Sequence, residues 1–276
     1  MKDCGLSFGK TTSKNHGVSA VKAAPLDPAA VAARFIGAAP AAGFRVEQFG
    51  ATAAGPLIAL TKRTPGVHPR IYLSAGIHGD EPAPALALLE MLESGGFDHR
   101  ANWFICPLLN PNGLARGIRE NADGLDLNRD YKDLQSAETR AHVAWLERQP
   151  NFSVCLSLHE DWESNGYYLY ELNPDQRHSL AEPIIAAVTA VCPIDHRPLI
   201  DGRESKAGIL RPLADPLLRE NWPESVYLRA THTSLTYTIE SPSALPLAQR
   251  LAAHRMALET AITLTVRDWR KTPASV

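Results

Sequence analysis

The sequence predicts an α/β fold: a single domain on a mixed, mainly parallel twisted sheet with helices on both faces. Three observations predict it. Several strand-length apolar runs are continuous rather than alternating, as strands covered on both sides require. Helical periodicities separate those runs, which is the order parallel strands need for their crossovers. Four runs end in a polar group, at His78, Asn110, His159 and Glu240, and open α/β sheets bind ligands beyond the carboxyl ends of their strands.

The elements follow in order. Phe44 to Thr52 and Leu57 to Lys62 read as paired strands separated by a Gly-Pro turn. Arg70 to Ile77 is a continuous apolar strand. Pro82, acceptable in a first turn, opens a helix that Gly95-Gly96 stops. Trp103 to Leu109 is the next strand, Ala137 to Arg148 a helix, Phe152 to Leu158 a strand, Leu180 to Val191 a helix and Leu235 to Ile239 a strand. From Pro246 to Trp269, apolar residues at helical spacing (Leu247, Leu251, Leu258, Ile262, Val266, Trp269) form a stripe that packs on the sheet. Residues 193 to 234 are rich in Pro, Arg and Gly with little periodicity and read as long surface loops. Residues 1–25 read as a flexible lead-in, and 26–276 as one catalytic domain.

Bulk composition narrows the function. The 276 residues can bury a substantial core, and 45% hydrophobic with 21% charged residues is ordinary for a water-soluble enzyme. A net charge of −2 gives no basic excess for nucleic acid. No apolar stretch reaches membrane-spanning length, and Met1 to Gly17 lacks the apolar segment of a secretory signal. The four cysteines are scattered, which fits packing roles in a reducing cytoplasm. The expected partner is thus a small substrate, with no nucleic acid and no membrane involved.

The chemistry is concentrated at the strand ends. A buried strand that stops at His78-Gly79-Asp80-Glu81-Pro82 brings an imidazole and a carboxylate to one place, and a second apolar strand ends at His159. Two histidines and one carboxylate are a common zinc set in hydrolases, with the fourth position left for water. Glu240 ends another apolar run, where a carboxylate is costly unless paired or put to use, and a general base is such a use. The loop from Arg119 to Asp130 carries two arginines, a residue type that clamps carboxylates in a bidentate fork or stabilises an oxyanion.

His78-Gly-Asp-Glu-Pro82, Arg119-Glu-Asn-Ala-Asp-Gly-Leu-Asp-Leu-Asn-Arg129, Ser157-Leu-His-Glu160 and Thr238-Ile-Glu-Ser-Pro242, in that order, resemble the zinc carboxypeptidase family, most of all its bacterial murein peptide amidase-like branch. The resemblance implies a phosphorylase/hydrolase-type fold and one zinc ion held by His78, Glu81 and His159. It implies Glu240 as general base and Arg119 as the oxyanion-binding arginine. Asn128 and Arg129 would grip the substrate's free carboxylate, and Asp126 would orient the first histidine from behind. The implied activity is that of a metallocarboxypeptidase or peptide amidase, a protease-type hydrolase that cuts an amide next to a residue with a free carboxylate by metal-activated water. The alternative is an N-acyl-amino-acid deacylase of the aspartoacylase/succinylglutamate desuccinylase type, so the partner is a peptide or an N-acyl amino acid. A third reading, a metal-retaining binding protein, would have lost Glu240, Arg119 or Arg129.

The pattern also departs from the family. Digestive carboxypeptidases carry a mobile tyrosine where this chain has Leu217 to Asn221, which leaves Tyr227, Tyr167 and Tyr168 as candidates to line the pocket. Glu160 and Asp161 read as surface or supporting carboxylates, and Arg203, Lys206 and Arg211 as a solvated loop.

Overall fold

The computed structural model describes residues 25–212 and 215–271, so the expected lead-in lies outside the described residues except for Pro25. The described chain opens with helix α1 (Pro28–Ala38), where the sequence reading assigns no element. Asp27 caps it by accepting the Ala30 N–H at 3.0 Å, and Pro28 occupies the first turn.

The sheet is built around β3 (Arg70–Ser74), which lies between β4 (Asn102–Cys106) and β5 (Val154–Asp161), parallel to both. β10 (Thr236–Pro242) adds in parallel to β5. The hairpin of β1 (Arg45–Thr52) and β2 (Gly55–Lys62) joins β4 antiparallel. On the other side β6 (Tyr168–Leu172) pairs antiparallel with β10, and β7 (Leu199–Ile200), β8 (Arg203–Lys206) and β9 (Ile209–Leu210) complete the order β1-β2-β4-β3-β5-β10-β6-β9-β8-β7. The parallel pairing expected from the sequence therefore forms the four central strands and recurs between β6 and β9, with antiparallel hairpins at the two edges of the sheet.

Alternation along the central strands creates two cores. Ile71, Leu73, Trp103, Ile105 and Leu156 face one side, where α1, α2 (Pro82–Glu93), α5 (Ala181–Val188) and α7 (Leu247–Lys271) pack. Tyr72, Phe104 and Cys155 face the other, covered by α4 (Ala137–Leu146) and α6 (Glu224–Thr231). α3 (Pro111–Arg116) sits beyond the carboxyl end of β4. The buried stripe of α7 runs through Ala253, Ala257 and Ala261 as well as Leu258, Ile262 and Val266, whereas Leu247 is exposed. Small residues there let α7 approach α2 and α5 closely.

Some boundaries differ from the expected ones for local reasons. β3 stops at Ser74 because Gly76 takes φ +67°, and β4 stops before Pro107, which has no N–H for the ladder. The stretch 193–234 is not only loop: it holds β7, β8, β9 and α6, elements of two to eight residues that are too short to show a period. Cys106, Cys155 and Cys192 are buried and unpaired. Among the described residues no helix is long and apolar enough to cross a membrane.

Candidate active site

Three buried donors meet beyond the ends of β3 and β5. His78 follows the Gly76 turn, Glu81 stands immediately before the first residue of α2, and His159 lies on β5 itself. His78 Nδ1 is 2.5 Å from Glu81 Oε1, and His159 Nδ1 is 2.9 Å from Glu81 Oε2. The two Nδ1 atoms are only 3.2 Å apart. The ligand atoms of all three residues lie within 4.8 Å of one another. Burial would raise the Glu81 carboxyl, but His78 and His159 outweigh it and hold the group ionised well below the usual carboxylate range. Two imidazole nitrogens and a carboxylate converging in a buried place fit a divalent metal, and zinc favours this donor set.

The spacing His-x-x-Glu depends on a glycine. A Cβ on Gly79 would lie 1.9 Å from the backbone carbon of Gly113 in α3, so the ligand loop and α3 touch backbone to backbone. Asn110, which accepts the Gly113 N–H at 2.8 Å, also donates Nδ2 to the carbonyls of Ile77 and Arg119, each at 3.2 Å. The polar end of β4 is thus a brace for the ligand loop.

Asp126 Oδ1 lies 3.3 Å from His78 Nε2, on the ring edge away from Glu81, and Asp126 Oδ2 accepts Arg119 Nε at 3.0 Å. Burial opposes ionisation of Asp126, but His78, Arg119 and Arg129 together keep its carboxyl well below the ordinary range. Arg119 reaches on with Nη1 to 3.3 Å from His78 Nδ1 and 3.8 Å from Glu81 Oε1. The segment 119–130 is a braced loop: Asn121 Oδ1 accepts the N–H groups of Asp123 and Leu125, each at 3.0 Å.

Glu240 sits on β10 in register with His159 of β5 and Tyr168 of β6, so all three side chains share one face. Burial pushes its carboxyl well above the ordinary range, Glu81 and Asp161 add to this, and His159 and Arg119 oppose it. Glu240 opens on a cavity of about 700 Å³ lined also by His78, Glu81, Arg119, Asn128 and Arg129. Every site residue inferred from the sequence therefore lines this cavity or, for His159 and Asp126, touches a residue that does.

The cavity contains Arg219 and Tyr170, which the sequence does not single out, and Arg203 of β8, which it assigns to a solvated loop. Arg197 is ion-paired to Asp195 at 2.5 Å and Arg250 to Glu160 at 2.6 Å, while among the described residues neither Arg129 nor Arg219 has a carboxylate within 4 Å. Arg219 loses some proton affinity, first through burial and then through Arg203 and Arg129 nearby. Arg129 and Arg219 therefore face a cavity that Asp161, Glu163, Asp201 and Asp215 also line, without an ion pair of their own among the described residues. Of the tyrosine candidates, Tyr168 lines the cavity and donates to Asp161 Oδ2 at 3.0 Å. Tyr167 points into the core on the α7 face, and Tyr227 packs at a tilt against Tyr131. Glu160 is turned away from the donors, accepting from Arg250, Ala83 N–H and Ser241. Arg211 is paired with Glu171 and Glu182. The signal that could have found Arg219 was its arginine type alone, since it lies in no motif, whereas Arg203, read as a solvated-loop residue, lies on β8 and lines the cavity.

Comparison with known proteins bears on the fold and the family. A protein from Shewanella baltica OS155, taken to be a metallopeptidase, superposes with a TM-score of 0.74 at 22% identity, over 85% of this chain and 91% of that one. The metallo-carboxypeptidase from Pseudomonas aeruginosa, solved with (2-guanidinoethylmercapto)succinic acid, gives 0.63 at 20% identity, over 86% and 69%. These likenesses establish the fold. Carboxypeptidase SOL1 of Arabidopsis thaliana is 30% identical over 121 residues, 33% of this chain, and the match spans only 23% of that longer protein. The fold is the one these metallopeptidase-type structures share, and the three buried donors fit a divalent metal. The sequence model of the succinylglutamate desuccinylase/aspartoacylase catalytic domain matches residues 67–207, half of the chain, and the chain belongs to that family.

Proposed function

We propose that this protein is a zinc-dependent metallocarboxypeptidase or peptide amidase that hydrolyses the amide next to a residue with a free carboxylate. The observation that carries the reading is the convergence of His78, Glu81 and His159 beside Glu240, on a cavity whose Arg129 has no carboxylate within 4 Å among the described residues. His78, Glu81 and His159 would hold the metal, with Asp126 fixing the His78 ring. Bound there, zinc supplies Lewis acidity and a water of lowered pKa.

The chain's own groups do the rest. Glu240 takes a proton from the attacking water and passes it to the leaving nitrogen. Arg119, already reaching the ligand cluster, holds the developing oxyanion. Arg129 and the Asn128 amide grip the terminal carboxylate and so select the bond presented. Three buried free thiols suit a reducing compartment, and we place the protein in the cytoplasm.

Mass-spectrometric product identification tests the reading. Zinc-loaded protein meets ordinary peptides, murein tripeptide and N-acyl amino acids, with a chelated control. Chelator-sensitive loss of one C-terminal residue is the expected result. Release of an acyl acid alone would make the protein a deacylase, and no product with any substrate would remove the enzymatic reading.

A further inference from the structure

Glu224 is a carboxylate buried to 1% exposure with no lysine or arginine within 4 Å among the described residues. Such a group is costly unless hydrogen bonds replace its water. Glu224 has them, all from hydroxyls. Oε1 accepts Tyr72 OH at 2.6 Å, and Oε2 accepts Ser74 Oγ at 2.7 Å and Ser157 Oγ at 3.0 Å. Behind Tyr72 stands His142, whose Nε2 is 2.9 Å from Tyr72 OH and whose Nδ1 is 2.7 Å from Tyr131 OH. If every hydrogen points one way, Tyr131 donates to His142, His142 to Tyr72, and Tyr72 to Glu224. An acceptor-only end closes that chain, and a carboxylate is one.

The partners of Glu224 tie two parts of the site together. Ser74 ends β3, the strand that leads to His78, and Ser157 lies on β5 two residues before His159 on the same face. The Glu224 backbone N–H donates to Asn128 Oδ1 at 2.9 Å. That bond occupies the amide oxygen and leaves the Asn128 NH₂ as the group available to a ligand in the cavity. The segments carrying the two residues are also bridged at Asp130 and Trp222, with Tyr131 N–H on Trp222 O at 3.1 Å.

We propose that Glu224 is a positioning residue that fixes the distance between the carboxylate grip at Asn128–Arg129 and the strands bearing the metal ligands. Its side chain holds the start of α6 against β3 and β5, and its backbone holds the grip. This rests on the reading of Asn128 and Arg129 as the grip. Separation between grip and metal is what makes one amide, and not its neighbours, reach Glu240.

The test uses the full-length zinc-loaded protein, the amide substrate found in the product screen, and the same substrate with its free carboxylate amidated. Glu224→Gln keeps the shape but presents an NH₂ where only acceptors fit, and Ser157→Ala removes one donor should the first variant fold poorly. Either should raise KM for the carboxylate substrate about tenfold, the scale of a disturbed hydrogen bond to a charged group. Expected with this are little change in kcat, unchanged KM for the amidated substrate, and unchanged zinc affinity by chelator competition. Adding either change to Asn128→Ala should raise KM no further. A lowered melting temperature with unchanged KM, or an equal KM rise on both substrates, would overturn the proposal. A wild-type KM in Asn128→Ala on its own would instead overturn the grip, and the proposal with it.

Discussion

Glu240 and His159 are direct register partners on adjacent parallel strands, β10 and β5, so the proposed base and a proposed metal ligand are fixed to each other by a backbone ladder. Neither depends on a loop for its place. Substituting Glu240→Gln should accordingly leave the ligand cluster intact while removing the proton carrier. The expected loss in kcat is about 10²- to 10⁴-fold with zinc stoichiometry unchanged, read from kinetics alongside metal analysis. Loss of zinc in this variant would mean that Glu240 serves the metal and not the proton.

Gly79→Ala and Gly37→Ala should have opposite signs. At Gly79 the new methyl would run into the Gly113 backbone, pulling the His78–Glu81 loop off α3. We expect a loss of roughly 1–3 kcal/mol, the range for overpacking, and weakened metal binding. At Gly37, exposed on α1 with nothing within 4 Å of the new Cβ, helix propensity alone acts and favours alanine by about 1 kcal/mol. Urea denaturation of both variants, with and without zinc, measures this pair.

Arg129→Lys should raise KM for substrates with a terminal carboxylate while kcat falls less. An ammonium keeps the charge but cannot reproduce the planar two-point grip. Wild-type efficiency in the lysine variant on such a substrate would remove Arg129 from carboxylate binding.

Stability should decline on the acid side through His142. Burial, with a smaller push from His232, lowers this imidazole to about 3, and both ring nitrogens are engaged by tyrosine hydroxyls. The folded value lies below the unfolded value near 6.5, so the unfolded chain takes up the proton first. Its contribution is full above pH ~6.5 and is lost as the pH falls toward about 3. Urea midpoints measured between pH 7 and 4 should fall, and more gently in His142→Asn; equal slopes would show that other groups govern the decline.

The parts of the molecule that could be read in the sequence are those whose physics is local. Continuous apolar runs marked β3, β4, β5 and β10, and the polar residues at the ends of those runs marked the site, although β3 and β4 stop short of His78 and Asn110 and β5 and β10 continue two residues past His159 and Glu240. His78 and Glu81 announced themselves by spacing. Glu224 and Arg219 did not: the meaning of each comes from residues far away in sequence, Ser74 and Ser157 for one, Arg129 and Arg203 for the other. Tyr170 likewise needed the pairing of β6 with β10 to be placed on the cavity face. α6 was missed because its buried apolar residues, Val226, Tyr227 and Leu228, are consecutive and show no helical period, although Pro223-Glu224 is a helix-start signal.

The wall formed by Arg203, Arg219 and Tyr170 comes from chain between β5 and β10, and β7, β8 and β9 form the outer margin of the sheet. The proposed ligands His78, Glu81 and His159 come from its middle. The proposed reaction centre, with its grip at Asn128–Arg129, and this outer part of the cavity wall are thereby encoded in separate stretches of chain, joined at the ladder of β5 and β10. Insertions, deletions and substitutions at the margin can change what the cavity accepts while the hydrolytic centre stays as it is. A lineage built this way can acquire new substrates without reinventing its chemistry, and a library confined to residues 197–222 is where a protein engineer should begin.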